Sequence, residues 1–268
     1  MKGYYEGKAA VITGGASGIG LALGELLLSL GAKAVVLADV NAVKLQAQSE
    51  RLSQAYPGKV LGVETDVTSQ DGVKELIARA AAFGGGRLDL LFNNAGIGAL
   101  KSFEKTTDED WKLAFDVNFY GALYGIRAAL PIMRAQGGGH IANTASGIVF
   151  VPMPEQTMYS ATKSALMGLG SSLRYELWDD NIRVSTIIPG TVITAIWDGV
   201  KPPAEAITPA QAAAGILAGV ARNEKIVIVT EQDRQGAQNA YAPERQEGID
   251  AYMVNIARKR KKGIMNEY

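Results

Sequence analysis

The chain has 268 residues and a mass of 28.3 kDa, with Lys plus Arg and Asp plus Glu balanced at 27 each, so it carries no formal net charge. That balance offers no electrostatic footprint for nucleic acid or an anionic membrane. Zero cysteines exclude disulfides and thiolate metal sites, and the single histidine, His140, is too little for a histidine metal cluster or a Ser-His-Asp triad, so no metal is expected.

The opening MKGYYEGKAAVITGG contains no apolar stretch long enough for a signal peptide or a membrane span, which predicts a cytoplasmic protein without a membrane partner. Seven short runs rich in Val, Ile and Leu follow: KAAVIT, AVVLAD, VLGVET, LDLLFN, HIANTA, IRVSTII and KIVIV. Most are separated by helix-like segments at 18–31, 41–56, 69–83, 107–136, 155–178 and 208–221. Two of those starts carry capping signals, Thr107 with Asp110, and Thr208 with Pro209 and Gln211. The alternation predicts an α/β protein: a single-domain Rossmann fold over 1–268, with a seven-stranded parallel sheet flanked by helices on both faces. No linker composition divides the chain. After about residue 236 it becomes a polar extension of no evident role, whose RKRKK at 258–262 reads as a solvated helix end.

Between the first strand and the first long helix lies TGGASGIG, with Gly14, Gly18 and Gly20 around Ser17 and Ile19. Glycines there permit a tight turn and close backbone approach, and the following helix N-terminus offers amides to a pyrophosphate. Asp39 closes the second strand about twenty residues later, where a carboxylate can bind a ribose diol. A 2'-phosphate at ~4 Å from it would meet about 4 kcal/mol of repulsion per unit charge at an effective dielectric near 20. Neither Ser17 nor Val40 and Asn41 supplies a compensating cation, so the expected cofactor is NAD. The competing reading makes Asp39 a helix cap.

Farther on, YSATK sets Tyr159 four residues before Lys163, with Ser146 thirteen residues upstream of the tyrosine. On a helix, side chains four apart share a face. A phenol with pKa about 10 is ionised in roughly one molecule per thousand near pH 7, a cost of ~4 kcal/mol for use as a base that a nearby ammonium reduces. The trio therefore suits proton transfer, although YxxxK alone also fits an ordinary amphipathic helix surface.

Together, TGGASGIG, NNAG, YSATK and PGTVIT make the chain resemble the short-chain dehydrogenase/reductase family along nearly its whole length. The resemblance implies that Asp66 and Val67 lie by the adenine and that Asn93, Asn94, Ala95 and Gly96 support the central part of the cofactor. Asn118 would hold a water in a proton relay, or distort its helix, or both. Ser146 would hydrogen-bond the reacting oxygen, Tyr159 would be the base, and Lys163 would bind the nicotinamide ribose and lower the tyrosine pKa. Pro189, Gly190, Val192 and Thr194 would lie near the nicotinamide amide. The long helices 107–136 and 155–178 resemble the family's dimer surface and predict a homo-oligomer, dimer or tetramer. KIVIVTEQDRQG lacks the glycine-rich end found in the family's tetrameric carrier-protein reductases.

The implied reaction is interconversion of a secondary alcohol and a ketone. Ile148, Phe150, Met153, Met158, Ile196 and Trp197 fall on segments that the family sets beside its substrate, which suits an apolar or ring-containing body such as a steroid. Packing beneath loops explains the same residues equally well. Polyol oxidation, a nucleotide-sugar epimerase and an NAD-responsive regulatory protein on the same fold are the alternatives. The glycine spacing and short chain disfavour the epimerase.

Overall fold

A computed structural model describes residues 1–98, 100–194 and 202–264. Among the described residues the strands are β1 (Ala9–Thr13), β2 (Ala34–Asp39), β3 (Val60–Glu64), β4 (Leu90–Asn93), β5 (Gly139–Thr144), β6 (Ile182–Ile188) and β7 (Ile226–Ile228). They form one seven-stranded sheet in the order β3-β2-β1-β4-β5-β6-β7, and every pairing is parallel. Each corresponds to one of the seven apolar runs. Strands buried on both faces need no polar alternation, and β1 is buried at all of its positions.

Neighbouring side chains of one strand enter opposite cores. Ile12, Leu37, Leu90 and Ile187 pack with α2 (Gly18–Ser29), α3 (Ala42–Ala55) and α8 (Pro209–Ala221) on one face. Val11, Val36, Leu91 and Val184 pack with α4 (Gln70–Phe83), α6 (Gly121–Ala135) and α7 (Thr157–Glu176) on the other. The strand order reverses between β1 and β4, and a crevice at such a reversal is where open α/β sheets bind ligands.

A short α1 (Lys2–Tyr5) buries Tyr5, whose hydroxyl donates to the Leu217 carbonyl at 2.7 Å. Beside it, the Tyr4 hydroxyl meets His140 Nδ1 at 2.8 Å, and His140 Nε2 meets Ser185 Oγ at 2.9 Å. Burial pushes the His140 pKa down to about 3, so the ring is neutral and structural.

The segment 107–136 is helical throughout but not uniform. A capping box at Thr107 and Asp110 starts α5 (Asp108–Phe115), a π turn covers Asp116–Tyr120, and α6 continues from there. Thr208 and Gln211 form the second expected box, with Pro209 at the first helical position of α8.

At the end of the chain the basic run at 258–262 closes a helix and is largely solvated, with one residue turned inward. This terminal segment folds into α9 (Glu231–Asn239) and α10 (Gln246–Lys261), and α10 buries Ile256 and Arg260. Arg260 belongs to the basic run at 258–262, yet it points inward and its Nη1 donates to the Pro154 carbonyl. A long guanidinium can reach a backbone acceptor that composition alone does not reveal.

Candidate active site

The glycine loop needs its glycines. Gly14 and Gly18 have φ of +66° and +53°, in the left-handed region, and a Cβ on Gly20 would overlap the Gly14 carbonyl. Ser17 precedes α2 in extended conformation without a side-chain capping bond, so no hydroxyl covers the first turn, which includes Ile19. Backbone amides at such a terminus suit a pyrophosphate.

Asp39 ends β2 beside that loop. Its Oδ2 accepts from Ala16 N at 3.0 Å and its Oδ1 from Asn41 N at 2.9 Å. The residue that caps α3 is Asn41, through Lys44 N at 2.9 Å, so the cap reading of Asp39 fails. A carboxylate offers about four lone-pair sites, which leaves acceptor capacity for ribose hydroxyls. The loop, the uncapped first turn and this carboxylate together fit an adenine dinucleotide.

Thr13 is a part of the frame that the motifs did not single out. Its hydroxyl accepts from Asn94 N at 3.0 Å and Ala95 N at 3.1 Å, while Asn94 Nδ2 donates to the Thr13 carbonyl at 3.1 Å. These bonds lace the end of β4 to the end of β1. The available signal was a strand-end threonine immediately before the glycines. Asn93, by contrast, turns its side chain into the interior, where Nδ2 donates to Asn143 Oδ1 at 2.8 Å. Asp66 is exposed after β3 and accepts from Thr68 N at 2.9 Å, and Val67 packs against Gly121.

Gly96 lies between two of the expected catalytic side chains. A Cβ built there would sit 3.0 Å from Asn118 Oδ1 and 3.1 Å from Lys163 Nζ. Asn118 occupies the π turn, which closes from Gly121 N to the Asp116 carbonyl. Its Oδ1 accepts from Ile97 N at 2.8 Å, and its Nδ2 donates to the Ile97 carbonyl at 3.0 Å and to Thr162 Oγ1 at 3.1 Å. The expected helix distortion is present, and both ends of the amide have protein partners. Such wide turns recur where a helix must aim one group at a site.

Ser146 follows β5 and opens a 3₁₀ turn over Gly147–Val149, with Oγ accepting from Ile148 N at 3.3 Å. Its hydroxyl also lies beside the Tyr159 phenol. One turn along α7, Lys163 is buried, with Nζ 5.7 Å from the centre of the Tyr159 ring and donating to the Thr144 carbonyl at 2.8 Å. Burial pushes the Tyr159 phenol up, against the lowering effect of the Ser146 hydroxyl. Burial likewise pushes Lys163 down to about 8. The expected lowering of the tyrosine by the lysine is therefore not present in this structure. Both groups are desolvated, and the ammonium spends a donor on Thr144 rather than on the phenol.

After β6, Pro189 leads to Gly190 at φ +89°, and Val192 is buried in an isolated bridge with Ile207. Thr194 faces the glycine loop, its Cγ2 3.0 Å from a Cβ built on Gly18. Of the expected substrate residues, Ile148 and Met158 are buried and Phe150 packs against Ala145, Val149 and Ile188, whereas Met153 is partly exposed. Ile196 and Trp197 lie outside the described residues. Among the described residues no helix is long and apolar enough to cross a membrane.

The short chain dehydrogenase profile matches residues 8–204. An uncharacterized oxidoreductase of Staphylococcus aureus strain MW2 is 42% identical over 195 residues, covering 73% of this chain and 82% of the relative. Among solved structures, a short chain dehydrogenase/reductase from Burkholderia phymatum in complex with NAD superposes with a TM-score of 0.81 at 30% identity, over 92% of this chain and 96% of that one. A 3-ketoacyl-(acyl-carrier-protein) reductase from Brucella melitensis complexed with NADH gives a TM-score of 0.75 at 26% identity, over 84% and 96% of the two chains.

Proposed function

The chain belongs to the short-chain dehydrogenase family of oxidoreductases, and from that premise we propose that it uses NAD to interconvert a secondary alcohol and a ketone. The observation that carries this reading is the convergence of Ser146, Tyr159 and Lys163, with Lys163 and Asn118 both bordering Gly96. When bound, NAD supplies the acceptor for the hydride that leaves the carbinol carbon. Tyr159 takes the proton from the alcohol, and Ser146 orients the alcohol oxygen and steadies charge on it. Lys163 binds the nicotinamide ribose, and Asn118 fixes the Ile97 backbone beside it and belongs to the proton path. In the reverse direction Tyr159 returns the proton.

NAD rather than NADP is favoured by the Asp39 carboxylate, which meets the glycine loop with no cationic side chain among its hydrogen-bond partners. Gly14, Ser17, Gly18, Ile19 and Gly20 would line the pyrophosphate. Asp66 and Val67 would flank the adenine, Asn93, Ala95 and Gly96 would support the middle of the cofactor, and Pro189, Gly190, Val192 and Thr194 would flank the nicotinamide. The substrate reading is an apolar or ring-containing body, with Phe150 and Met153 the partly exposed described residues that would meet it. A homo-oligomer through α5, α6 and α7 is part of the same reading, as is a cytoplasmic location.

The test is to mix the protein with NAD and a panel of secondary alcohols comprising a steroid, a polyol and an aromatic carbinol, and to follow nicotinamide absorbance. Tyr159→Phe should lose turnover by at least about 10²-fold, the lower end of acid-base contributions. Binding of NAD with no oxidation of any alcohol would favour the regulatory alternative.

A further inference from the structure

The contacts of α9 and α10 converge on one short stretch of chain. Gly147 directly follows Ser146, and a Cβ built on it would overlap Asp233 Oδ1 in the first turn of α9. Four residues on, Val151 Cγ2 lies 3.4 Å from a Cβ built on Gly236. Three residues beyond that, the Pro154 carbonyl accepts from the buried Arg260 near the end of α10. Glu155 then turns through φ +59°, its carbonyl accepting from Lys101 N at 2.8 Å, before α7 brings in Tyr159.

The first turn of α9 also reaches the loop after β6. The Thr230 methyl fills the space that a Cβ on Gly190 would need. Thr230 and Asp233 are themselves locked together, with Thr230 Oγ1 donating to Asp233 Oδ2 at 2.8 Å and accepting from Asp233 N at 3.2 Å. All of these gripping residues lie beyond residue 204, where the family match ends. Burying a guanidinium and partly burying a carboxylate is costly. Here the guanidinium is directed at the Pro154 carbonyl, and the carboxylate, bonded to Thr230, packs against Gly147 next to Ser146.

We propose that the segment from Thr230 to Lys261 is a positioning element of the active site, in which Asp233 and Arg260 fix the Ser146–Glu155 stretch and thereby hold the Ser146 hydroxyl against Tyr159 and shape the substrate entrance. The roles of Ser146 and Tyr159 rest on the function proposed above. Asp233 and Arg260 touch no reacting atom and are positioning residues.

The experiment combines hydrogen exchange on the full-length protein with kinetics on the best alcohol of the panel. Arg260→Ala and Asp233→Ala should each speed amide exchange in residues 149–156 by at least about tenfold, with the amides of α4 unchanged. NAD affinity should stay within about twofold while kcat/KM falls at least about tenfold, and Arg260→Lys and Asp233→Asn should restore much of the loss. Gly147→Ala should be impaired by its clash with Asp233, and Gly147→Ala with Asp233→Ala should be no worse than Asp233→Ala alone. Unchanged exchange in both alanine variants, or strictly additive losses in the double variant, would overturn the proposal. The exchange measurement needs no turnover, so absence of alcohol oxidation in the unaltered protein would remove the proposed reaction without deciding the positioning role.

Discussion

Lys163 Nζ lies 5.7 Å from the centre of the Tyr159 ring and donates to the Thr144 carbonyl at 2.8 Å. The ammonium is therefore anchored to the end of β5, and the phenol a helical turn away lies beside the Ser146 hydroxyl. Because burial raises the Tyr159 pKa, the basic form of the free protein belongs to alkaline solution. For alcohol oxidation, kcat/KM should rise with pH on the alkaline side, since it reports the free protein's essential base. A profile that is flat through that range, or that falls from neutral pH upward, would remove Tyr159 from the role.

Gly96 sets the space between Asn118 and Lys163. In Gly96→Ala the new methyl would stand 3.0 Å from Asn118 Oδ1 and 3.1 Å from Lys163 Nζ, tighter than ordinary contact, so one must move. Turnover should fall by about tenfold or more while the melting temperature shifts by only a few degrees, the effect of about 1 kcal/mol of overpacking. Wild-type turnover in this variant would mean that the pair's separation is unimportant.

Asp39→Ala should have two separable effects. Loss of the carboxylate removes its repulsion toward a 2'-phosphate, so the ratio of NAD to NADP efficiency should drop at least about tenfold. Loss of the acceptor for Ala16 N and Asn41 N should also loosen the glycine loop and weaken NAD itself. An unchanged cofactor ratio measured with the best alcohol would take Asp39 out of cofactor selection.

His140 gives a stability prediction independent of catalysis. With a folded pKa of about 3 and an ordinary unfolded value near 6.5, the unfolded chain binds the extra proton first. Its contribution is intact above about pH 6.5 and is lost as pH falls toward 3, roughly 2 kcal/mol by pH 5. His140→Gln should therefore flatten the dependence of denaturation midpoint on pH between 7 and 5. An equally steep dependence in the variant would assign it to other groups.

Much of this architecture was legible because its signals are local. Runs such as AVVLAD are too apolar and too short for anything but buried strands, and Thr107 and Thr208 announce their helices through partners three residues away. The Ser146, Tyr159 and Lys163 trio was legible as a spacing, but its electrostatics was not. Whether an ammonium faces a phenol or a carbonyl depends on the end of β5, which the spacing does not encode. Asn93 illustrates a related limit, since NNAG does not say which asparagine faces inward. Of the last two helices only the basic end of α10 was legible, because α9 is polar all round and what anchors α10 is a charged side chain, Arg260, together with Ile256.

The π turn at Asp116–Tyr120 separates two packing problems that an unbroken helix would have to solve together. One surplus residue advances the helical phase by ~100°, so the stripe that α5 turns toward α7 need not be in register with the stripe that α6 turns toward α4. Removing a single residue from that turn would mend the spiral yet swing every later side chain a quarter-turn or more, spoiling the buried seam of Ala122, Ile126, Ala129 and Met133. Residue count in this stretch is consequently constrained more tightly than residue identity at its exposed positions.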